Sequence, residues 1–300
     1  MDNRTLIIGT GKWTGYEPLY LAEQVGIFEK NEASINLVMN LNESEIISKL
    51  KNGEIHGAGL TLDMLFVLHE SGFPCKAVLI LDYSIGGDMI IGKHGFNNLN
   101  DLKGRKIGLE KLYVNEYFLA RSLAEKNIKS NEIEIVYIPA GMHVEYLENL
   151  EVDAVVAYNP LATMLLQKGY DVIFSSKDIP SSIIDVLVFP NDIYENNYEN
   201  IRRIIQTWFD SIRYIDLHYM DSMMIMAESE GVSEYEFKMA FEDILIPDLK
   251  QNMAFFNLES DKNIFKISDI TMDFMFKRKM IKNKIDTSQI FDSSILKEVK

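Results

Sequence analysis

Aromatic and acidic side chains are concentrated in the loops that follow predicted strands of this 300-residue chain. In the first part of the chain these loop residues are Trp13, Tyr16, Glu17, Thr61, Asp63 and Asp88. In the second part they are Tyr113, Asn115, Glu116, Tyr158 and Asn159, and Asp185 on the returning strand joins them. Aromatic faces stack on rings and hold cations, and carboxylates accept hydrogen bonds from N–H groups. These residues favour a binding site for a neutral or cationic nitrogenous molecule, such as a ring or an amine that carries N–H donors.

An anionic ligand fits the same residues poorly. The nearest basic side chains are Lys12 and Lys111, whereas several carboxylates lie in the same loops. A helix N-terminus favours an anion by only about 0.3–1 kcal/mol, which is small beside repulsion from several carboxylates. The charge balance of the loops therefore disfavours sulfonates and nitrate.

Several of these residues have structural interpretations of equal standing. Trp13 and Tyr16 could pack on the surface of a domain, and Glu17 could cap the helix that it opens. Asp63 could be the N-cap of the next helix. Asp185 stands in an apolar strand, where a ligand or a local hydrogen bond would satisfy its carboxylate. The sequence leaves these alternatives open.

Residue patterns typical of catalysis or metal binding are missing. Cys75 is the single cysteine, so no internal disulfide or cysteine-based zinc site can form. The histidines have no metal-ligand spacing; they are His56, His69, His94, His143 and His218. No dinucleotide-binding glycine motif, phosphate-binding loop or nucleophile elbow is found. We expect no catalytic residue, no metal and no cofactor.

A repeat of strands and helices must position the loop residues. Strand 35–38, helix 46–50, strand 53–58 and helix 62–71 recur near residue 135 and beyond, and Glu54 falls on Glu151 at an offset of 97 residues. Strands that alternate with helices predict mostly parallel sheets flanked by helices. In such sheets, ligands bind at the carboxyl ends of the strands.

Two copies of the repeat predict an α/β protein of two lobes with a cleft between them. We assign residues 1–90 plus 186–300, including the C-terminal helices, to lobe 1, and residues 91–185 to lobe 2. Strands 79–83 and 89–92 lead out of lobe 1 and strand 183–189 returns, which predicts a two-strand hinge. After Pro190 the pattern indicates helices, such as 198–217, 233–241 and 260–279, and no further clear strand.

Composition excludes several classes of protein. Apolar residues make up 47% of the chain, which is typical of a globular protein. The formal net charge of −15 disfavours nucleic acid and anionic membranes as partners. No apolar run is long enough to span a bilayer.

Several motifs resemble the solute-binding receptors of ABC importers in the sulfonate, taurine, nitrate and thiamine-pyrimidine group. They are Gly15–Ala22 with Gly26–Lys30, Lys49–Ile55, Leu99–Gly108 and Val152–Pro160, in the order found in that family. The resemblance covers roughly residues 5–217. It implies the two-lobe periplasmic-binding-protein type II fold and a non-catalytic receptor that delivers a small ligand to an ABC permease and ATPase. Tyr158 and Asn159 stand where the family usually has an aromatic residue and an acid.

Two other functions stay open at this stage. One is a sensory module that reports ligand to a separate partner. The other is an enzyme similar to the thiamine-pyrimidine synthases, although their cysteine-rich motif and cleft histidine are not found. We expect a monomer. Met1 indicates a cytoplasmic protein if it is native, whereas the family implies a periplasmic or surface location after removal of a leader.

Overall fold

The computed structural model describes residues 4–111, 113–139, 141–260 and 263–300. Its strands are β1 (Leu6–Gly9), β2 (Ile35–Val38), β3 (Gly57–Thr61), β4 (Cys75–Ser84), β5 (Asp88–Gly92), β6 (Lys106–Leu109), β7 (Glu134–Tyr137), β8 (Ala154–Tyr158), β9 (Asp171–Ser175), β10 (Ile184–Pro190) and β11 (Ile244–Leu245). Its α-helices are α1 (Glu17–Gln24), α2 (Ile27–Lys30), α3 (Glu43–Lys51), α4 (Leu62–Glu70), α5 (Tyr113–Glu125), α6 (His143–Glu148), α7 (Leu161–Gln167), α8 (Asn191–Asn196), α9 (Tyr198–Leu217), α10 (Tyr219–Glu230), α11 (Glu234–Glu242), α12 (Leu249–Phe255) and α13 (Ile264–Lys277).

The chain divides into two compact units. Unit 1 contains residues up to 82 together with 184–237 and 246–300, and unit 2 contains 83–183 and 238–245. These limits differ from the predicted lobes of 1–90 plus 186–300 and 91–185. Segment 238–245 lies in unit 2 because β11 pairs antiparallel with Tyr83 and Ser84 at the end of β4. The prediction of no clear strand after Pro190 was therefore wrong, because β11 is a short strand in that part of the chain.

Unit 1 is built on a sheet with a parallel core. β1 pairs in parallel with β2 and β3, and β10 pairs antiparallel with β3. Across the unit the order is β4-β10-β3-β1-β2. Every residue of β3 and β10 is buried, which matches the near-continuous apolar runs predicted for strands covered on both faces. Thr61 and Asp185 interrupt these runs and lie opposite each other.

Unit 2 repeats the arrangement. Its order is β7-β6-β8-β5-β9, with β6 parallel to β7 and β8 and with β5 antiparallel to β8 and β9. Met89 and Ile91 of β5 pack with Leu147 of α6 and Leu165 of α7 in the core. Both units thus have mostly parallel sheets flanked by helices, and the predicted fold class is confirmed.

The predicted repeat is present, with one systematic shift. The series β1-α1-β2-α3-β3-α4 of unit 1 recurs as β6-α5-β7-α6-β8-α7 in unit 2. The strands predicted at 53–58 and 151–156 begin three or four residues later, at Gly57 and Ala154. In each copy, two successive backbone amides donate to the same carbonyl near the end of the preceding helix, Lys49 O in one copy and Tyr146 O in the other. These amides close the helix and therefore do not pair in a strand.

Long amphipathic helices complete unit 1. Helix α9 was predicted with the bounds that the structure shows, and it buries Ile201, Ile204, Ile205 and Trp208 on one face. Among the described helices, none combines the length and the apolar character needed to cross a membrane.

Candidate functional site

Trp13 and Asp82 form a buried hydrogen-bonded pair in unit 1. Trp13 is extended and precedes a short 3-10 turn, Thr14–Tyr16. Its indole Nε1–H donates to Asp82 Oδ1 over 3.0 Å. A Cβ at Gly15 would lie 2.1 Å from Asp82 Oδ2, so only glycine fits at this point of the turn. Trp13 is therefore a buried, hydrogen-bonded residue and not an exposed surface aromatic.

Tyr16 and Asp185 form a second buried pair in unit 1. The Tyr16 hydroxyl donates to Asp185 Oδ1 over 2.5 Å. The tyrosine ring lies close over β3, because a Cβ at Gly59 would be 3.0 Å from Tyr16 Cε1. Burial, together with the negative charges of Asp185 and Asp82, raises the pKa of Tyr16 well above its usual value. Tyr16 therefore keeps its proton and donates it to a hydrogen bond with Asp185. This is a local hydrogen bond of the kind that the structural interpretation of Asp185 predicted.

Glu17 and Glu230 are buried carboxyls on either side of the same turn. The Thr14 hydroxyl donates to Glu230 Oε1 over 2.9 Å, and Glu17 accepts a hydrogen bond from the Ser229 side chain. Burial raises the pKa of Glu17 to about 8, with the Glu230 charge adding to the effect. Burial likewise raises the pKa of Glu230 to about 7.

Glu17 is not the N-cap of α1. That position belongs to Tyr16, and no side chain caps the helix. Pro18 lies in the first turn, where its missing N–H costs no hydrogen bond. The interpretation of Glu17 as a helix cap was therefore wrong, because its carboxyl is directed to α10 residue Ser229.

Asp63 lies in the first turn of α4, whose N-cap is Thr61. Burial raises the pKa of Asp63 to about 6, although the Thr61 hydroxyl and the amides of Asp63 and Met64 partly stabilise its charge. The interpretation of Asp63 as the N-cap of this helix was therefore wrong, because Thr61 takes that position and Asp63 lies inside the first turn. Among the described residues, Asp63 Oδ2 has no hydrogen-bond partner.

Unit 1 contains a set of buried carboxyls, two of which accept hydrogen bonds from aromatic residues. Its buried carboxyls are those of Glu17, Asp63, Asp82, Asp185 and Glu230. Among the described residues, Lys12 is the cation whose charge acts on both Glu17 and Glu230, and it is exposed. The ionised members of this set can accept hydrogen bonds from N–H groups.

In unit 2, Asp88 and Asn159 meet at the ends of two paired strands. Asp88 of β5 lies opposite Tyr158 of β8, and both Asp88 and Asn159 are buried. The Asn159 amide N–H donates to Gly87 O over 3.0 Å, and its Oδ1 accepts from Thr163 over 2.9 Å. Among the described residues, Asn159 Nδ2 has no acceptor. This corner of unit 2 therefore presents a buried amide donor beside a carboxylate.

The three predicted residues of α5 differ in their surroundings. Asn115 is buried, and its Oδ1 has no partner among the described residues. Tyr113 is 38% exposed. Glu116 accepts a hydrogen bond from the Tyr137 hydroxyl over 3.0 Å, so this carboxylate already has a protein donor.

The predicted residues are divided between the two units. Trp13, Tyr16, Glu17, Thr61, Asp63 and Asp185 belong to unit 1, and Asp88, Tyr113, Asn115, Glu116, Tyr158 and Asn159 belong to unit 2. The ligand-binding role of every one of them stays a prediction, as does the predicted cleft.

Two buried acids of unit 1 were not among the residues predicted for the site. Asp82 ends an apolar run in β4, which is the same signal that singled out Asp185 in β10. Applied consistently, that signal would have found Asp82. Glu230 lies at the end of α10, far along the chain from Thr14, and no local pattern indicates their contact.

Comparisons with known proteins agree with this fold. The NMT1-like family model matches residues 1–229. A Brucella abortus (strain 2308) protein, named by inference as a binding protein, is 23% identical over 194 residues, which cover 62% of this chain and 58% of that protein. The match thus spans little more than half the length of this curated relative.

Solved structures of binding proteins are similar over nearly the whole chain. The ligand-binding component of an ABC-type import system from Staphylococcus aureus, with zinc bound, has a TM-score of 0.81 at 15% identity and 98% coverage of both chains. The periplasmic aliphatic sulphonate binding protein SsuA from Escherichia coli has a TM-score of 0.79 at 19% identity, covering 95% of this chain and 96% of that one. These likenesses, with the family match, confirm the resemblance to solute-binding proteins of ABC importers.

The same fold also occurs in an enzyme. The desulfurization enzyme DSZB has a TM-score of 0.71 at 12% identity, covering 97% of this chain and 98% of that one. The fold alone therefore does not separate receptors from enzymes. Among the described residues, no group of three or more His, Cys, Asp or Glu side chains is placed to hold a metal ion.

Proposed function

Because the chain belongs to the NMT1-like family, we propose that it is a non-catalytic solute receptor of the ABC-import type whose ligand is neutral or cationic and nitrogenous. The observation that carries this proposal is the set of buried carboxyls in unit 1, two of which accept hydrogen bonds from the aromatic residues Trp13 and Tyr16. In this proposal the carboxylates of that set accept hydrogen bonds from N–H groups of the ligand.

Within this proposal, the negative charge of Asp63 disfavours anions. At neutral pH the raised pKa values keep Glu17 largely protonated and Glu230 about half protonated, whereas Asp63, with a pKa of about 6, is mostly ionised. Asp63 Oδ2 lacks a donor among the described residues, and a buried carboxylate oxygen without a donor is costly. A ligand N–H group would supply that donor, whereas a sulfonate oxygen would be repelled.

A polar edge with both a donor and an acceptor fits the corner of unit 2. Asn159 Nδ2–H can donate to a ligand carbonyl or ring nitrogen, while the neighbouring Asp88 carboxylate can accept from a ligand N–H. Aminopyrimidines and simple amides carry such an edge. The proposed ligand thus differs from the aliphatic sulphonate named for the structurally similar Escherichia coli protein.

Two further parts of the proposal follow from the family. The receptor delivers its ligand to an ABC permease and its ATPase, and it acts outside the cytoplasmic membrane after removal of a leader. A genetic test would delete a neighbouring permease gene and measure uptake of the identified ligand. Normal uptake in that strain would contradict the transport role.

Native mass spectrometry of the purified protein, followed by thermal-shift measurements, tests the ligand class. The probes are 4-aminopyrimidine and methylamine on one side and butanesulfonate and nitrate on the other. At a hundredfold excess over Kd a ligand stabilises by about 2.7 kcal/mol, which corresponds to a shift of about 5 °C. A shift with 4-aminopyrimidine or methylamine supports the proposal. A shift with the anions alone contradicts the ligand class, and no shift with any probe and no bound mass contradicts a receptor for these classes.

A further inference from the structure

Every backbone amide of the turn Ser84–Asp88 in unit 2 donates a hydrogen bond. The acceptors for residues 84 to 88, in chain order, are Ile183 O at 3.2 Å, Asp243 O at 2.8 Å, Ser176 Oγ at 2.7 Å, Asp243 O at 3.1 Å and Ser84 Oγ at 3.1 Å. A turn with no unsatisfied amide has a well-defined conformation. This one leads directly into β5 and carries Asp88.

Asp243, from a distant part of the sequence, accepts two of these five hydrogen bonds. Its carbonyl accepts from both Ile85 and Gly87, and its carboxylate accepts from Lys177 Nζ over 2.8 Å. The next residues form β11 and pair with Ser84 and Tyr83. We call Asp243 and Lys177 the clasp. The Asp243 carbonyl binds two amides of the turn, and Lys177 binds the Asp243 carboxylate.

Gly86 shows how closely the clasp fits. Its φ of +146° lies in a region that favours glycine, and a Cβ there would be 2.5 Å from Asp243 Oδ1 and 2.7 Å from Lys177 Cε. Any larger residue would have to displace both partners of the ion pair. The turn and the clasp are therefore built to fit each other.

The clasp reaches the proposed ligand residues through the turn. Asp88 is the last residue of the turn, and Gly87 O accepts the Asn159 amide N–H over 3.0 Å. Ser84 Oγ, which accepts the Asp88 amide, lies 2.8 Å from Ser176 Oγ. We infer that Asp243 is a positioning residue: with Lys177 it fixes the Ser84–Asp88 turn, and thereby places Asp88 and Asn159 to bind ligand. The effect on ligand binding rests on the proposed function, whereas the effect on the turn does not.

Hydrogen–deuterium exchange of the full chain tests the effect on the turn. The variants are Gly86→Ala and Asp243→Ala. Each has a matched control in unit 2: Gly95→Ala, at a φ of +105° with open space around it, and Glu148→Ala, whose carboxylate forms an exposed ion pair with Lys168 at 3.4 Å. We expect exchange of the 84–88 amides to be roughly tenfold faster in Gly86→Ala, a few-fold faster in Asp243→Ala, which loses the Lys177 ion pair but keeps its carbonyl, and unchanged in both controls. Unchanged exchange in both variants would overturn the clasp, whatever the protein binds.

Calorimetric titration of the same four proteins with 4-aminopyrimidine tests the effect on binding. We expect a loss of affinity of roughly tenfold in Gly86→Ala and Asp243→Ala, with retained affinity in the controls. Faster exchange with unchanged affinity would overturn the positioning role while leaving the clasp as a structural feature. Failure of the wild-type protein to bind this probe would instead contradict the proposed ligand class, and the exchange result would still decide whether the clasp exists.

Discussion

The Tyr16 hydroxyl donates to Asp185 Oδ1 over 2.5 Å, and this bond joins the turn that opens α1 to the strand that returns the chain to unit 1. Both residues are buried, and Asp185 lies opposite Thr61 of β3. Because the pKa of Tyr16 is raised well above its usual value, the proton stays on the phenol at physiological pH. A neutral donor and a carboxylate acceptor therefore hold the aromatic residue in place.

Tyr16→Phe removes this donor and leaves the ring in place. We expect the free energy of unfolding to fall by about 1–3 kcal/mol, because the buried Asp185 carboxylate loses a hydrogen bond. Urea denaturation measures the change, with Tyr235→Phe, at a 67% exposed tyrosine, as the matched control. In the double variant with Asp185→Asn, the loss should be smaller than the sum of the two single losses. Additive losses would show that the two side chains are not coupled.

Gly15→Ala should distort the contact between the turn and Asp82. The added Cβ would lie 2.1 Å from Asp82 Oδ2 and 2.5 Å from Trp13 Nε1, so the Trp13–Asp82 hydrogen bond must shift or break. We expect a loss of about 1–3 kcal/mol of stability, typical of overpacking, and a changed near-ultraviolet circular dichroism signal. Gly11→Ala is the control, because its nearest contact is an ordinary 3.4 Å. Equal stability of the two variants would show that Asp82 does not constrain the turn.

Glu17 and Glu230 should make the protein less stable as the pH rises. Their pKa values are about 8 and 7 in the folded chain against 4.5 in the unfolded chain. Above pH 4.5 the unfolded chain therefore releases these protons while the folded chain retains them. Each group then lowers the free energy of unfolding with a slope of up to about 1.4 kcal/mol per pH unit, from pH 4.5 to its folded pKa.

Denaturation at pH 5, 6, 7 and 8 measures this effect. Glu17→Gln and Glu230→Gln should each flatten the decline and raise the stability at pH 8, whereas Glu29→Gln, at an exposed position, should leave it unchanged. A decline that persists in the variant lacking both carboxyls would assign the pH dependence to other groups.

His143 should have the opposite pH dependence. Burial lowers its pKa to about 4, and its Nε2 lies 3.1 Å from Val156 O, where a neutral ring can donate. As pH falls below 6.5 the unfolded chain gains a proton that the folded chain refuses, so stability is lost between pH 6.5 and 4. The NMR titration of the His143 ring should show a midpoint near pH 4. A midpoint near 6.5 would show that the ring is hydrated.

The sequence predicted the parts of the fold that are repeated or local. The two α/β copies and the bounds of α9 follow from periodic apolar residues, and Asp185 stood out as an acid in an apolar strand.

Side-chain contacts between distant parts of the chain could not be predicted from the sequence. The pairs Thr14–Glu230 and Lys177–Asp243 join segments separated by 216 and 66 residues, and neither has a local pattern. The starts of β3 and β8 were misplaced because apolar residues of the preceding turns, such as Ile55 and Val152, are buried without belonging to a strand. Burial and strand pairing produce the same apolar signal in a single sequence.

The sign of the ligand charge tests the account most directly. Isothermal titration of the wild-type protein with benzylamine and with phenylmethanesulfonate compares two ligands that share a ring and differ in charge. We expect benzylamine to bind, with an affinity reduced roughly tenfold in Asp63→Asn, because that variant lacks the carboxylate proposed to accept the ammonium hydrogen bond. Binding of phenylmethanesulfonate without binding of benzylamine would contradict the proposed acidic site.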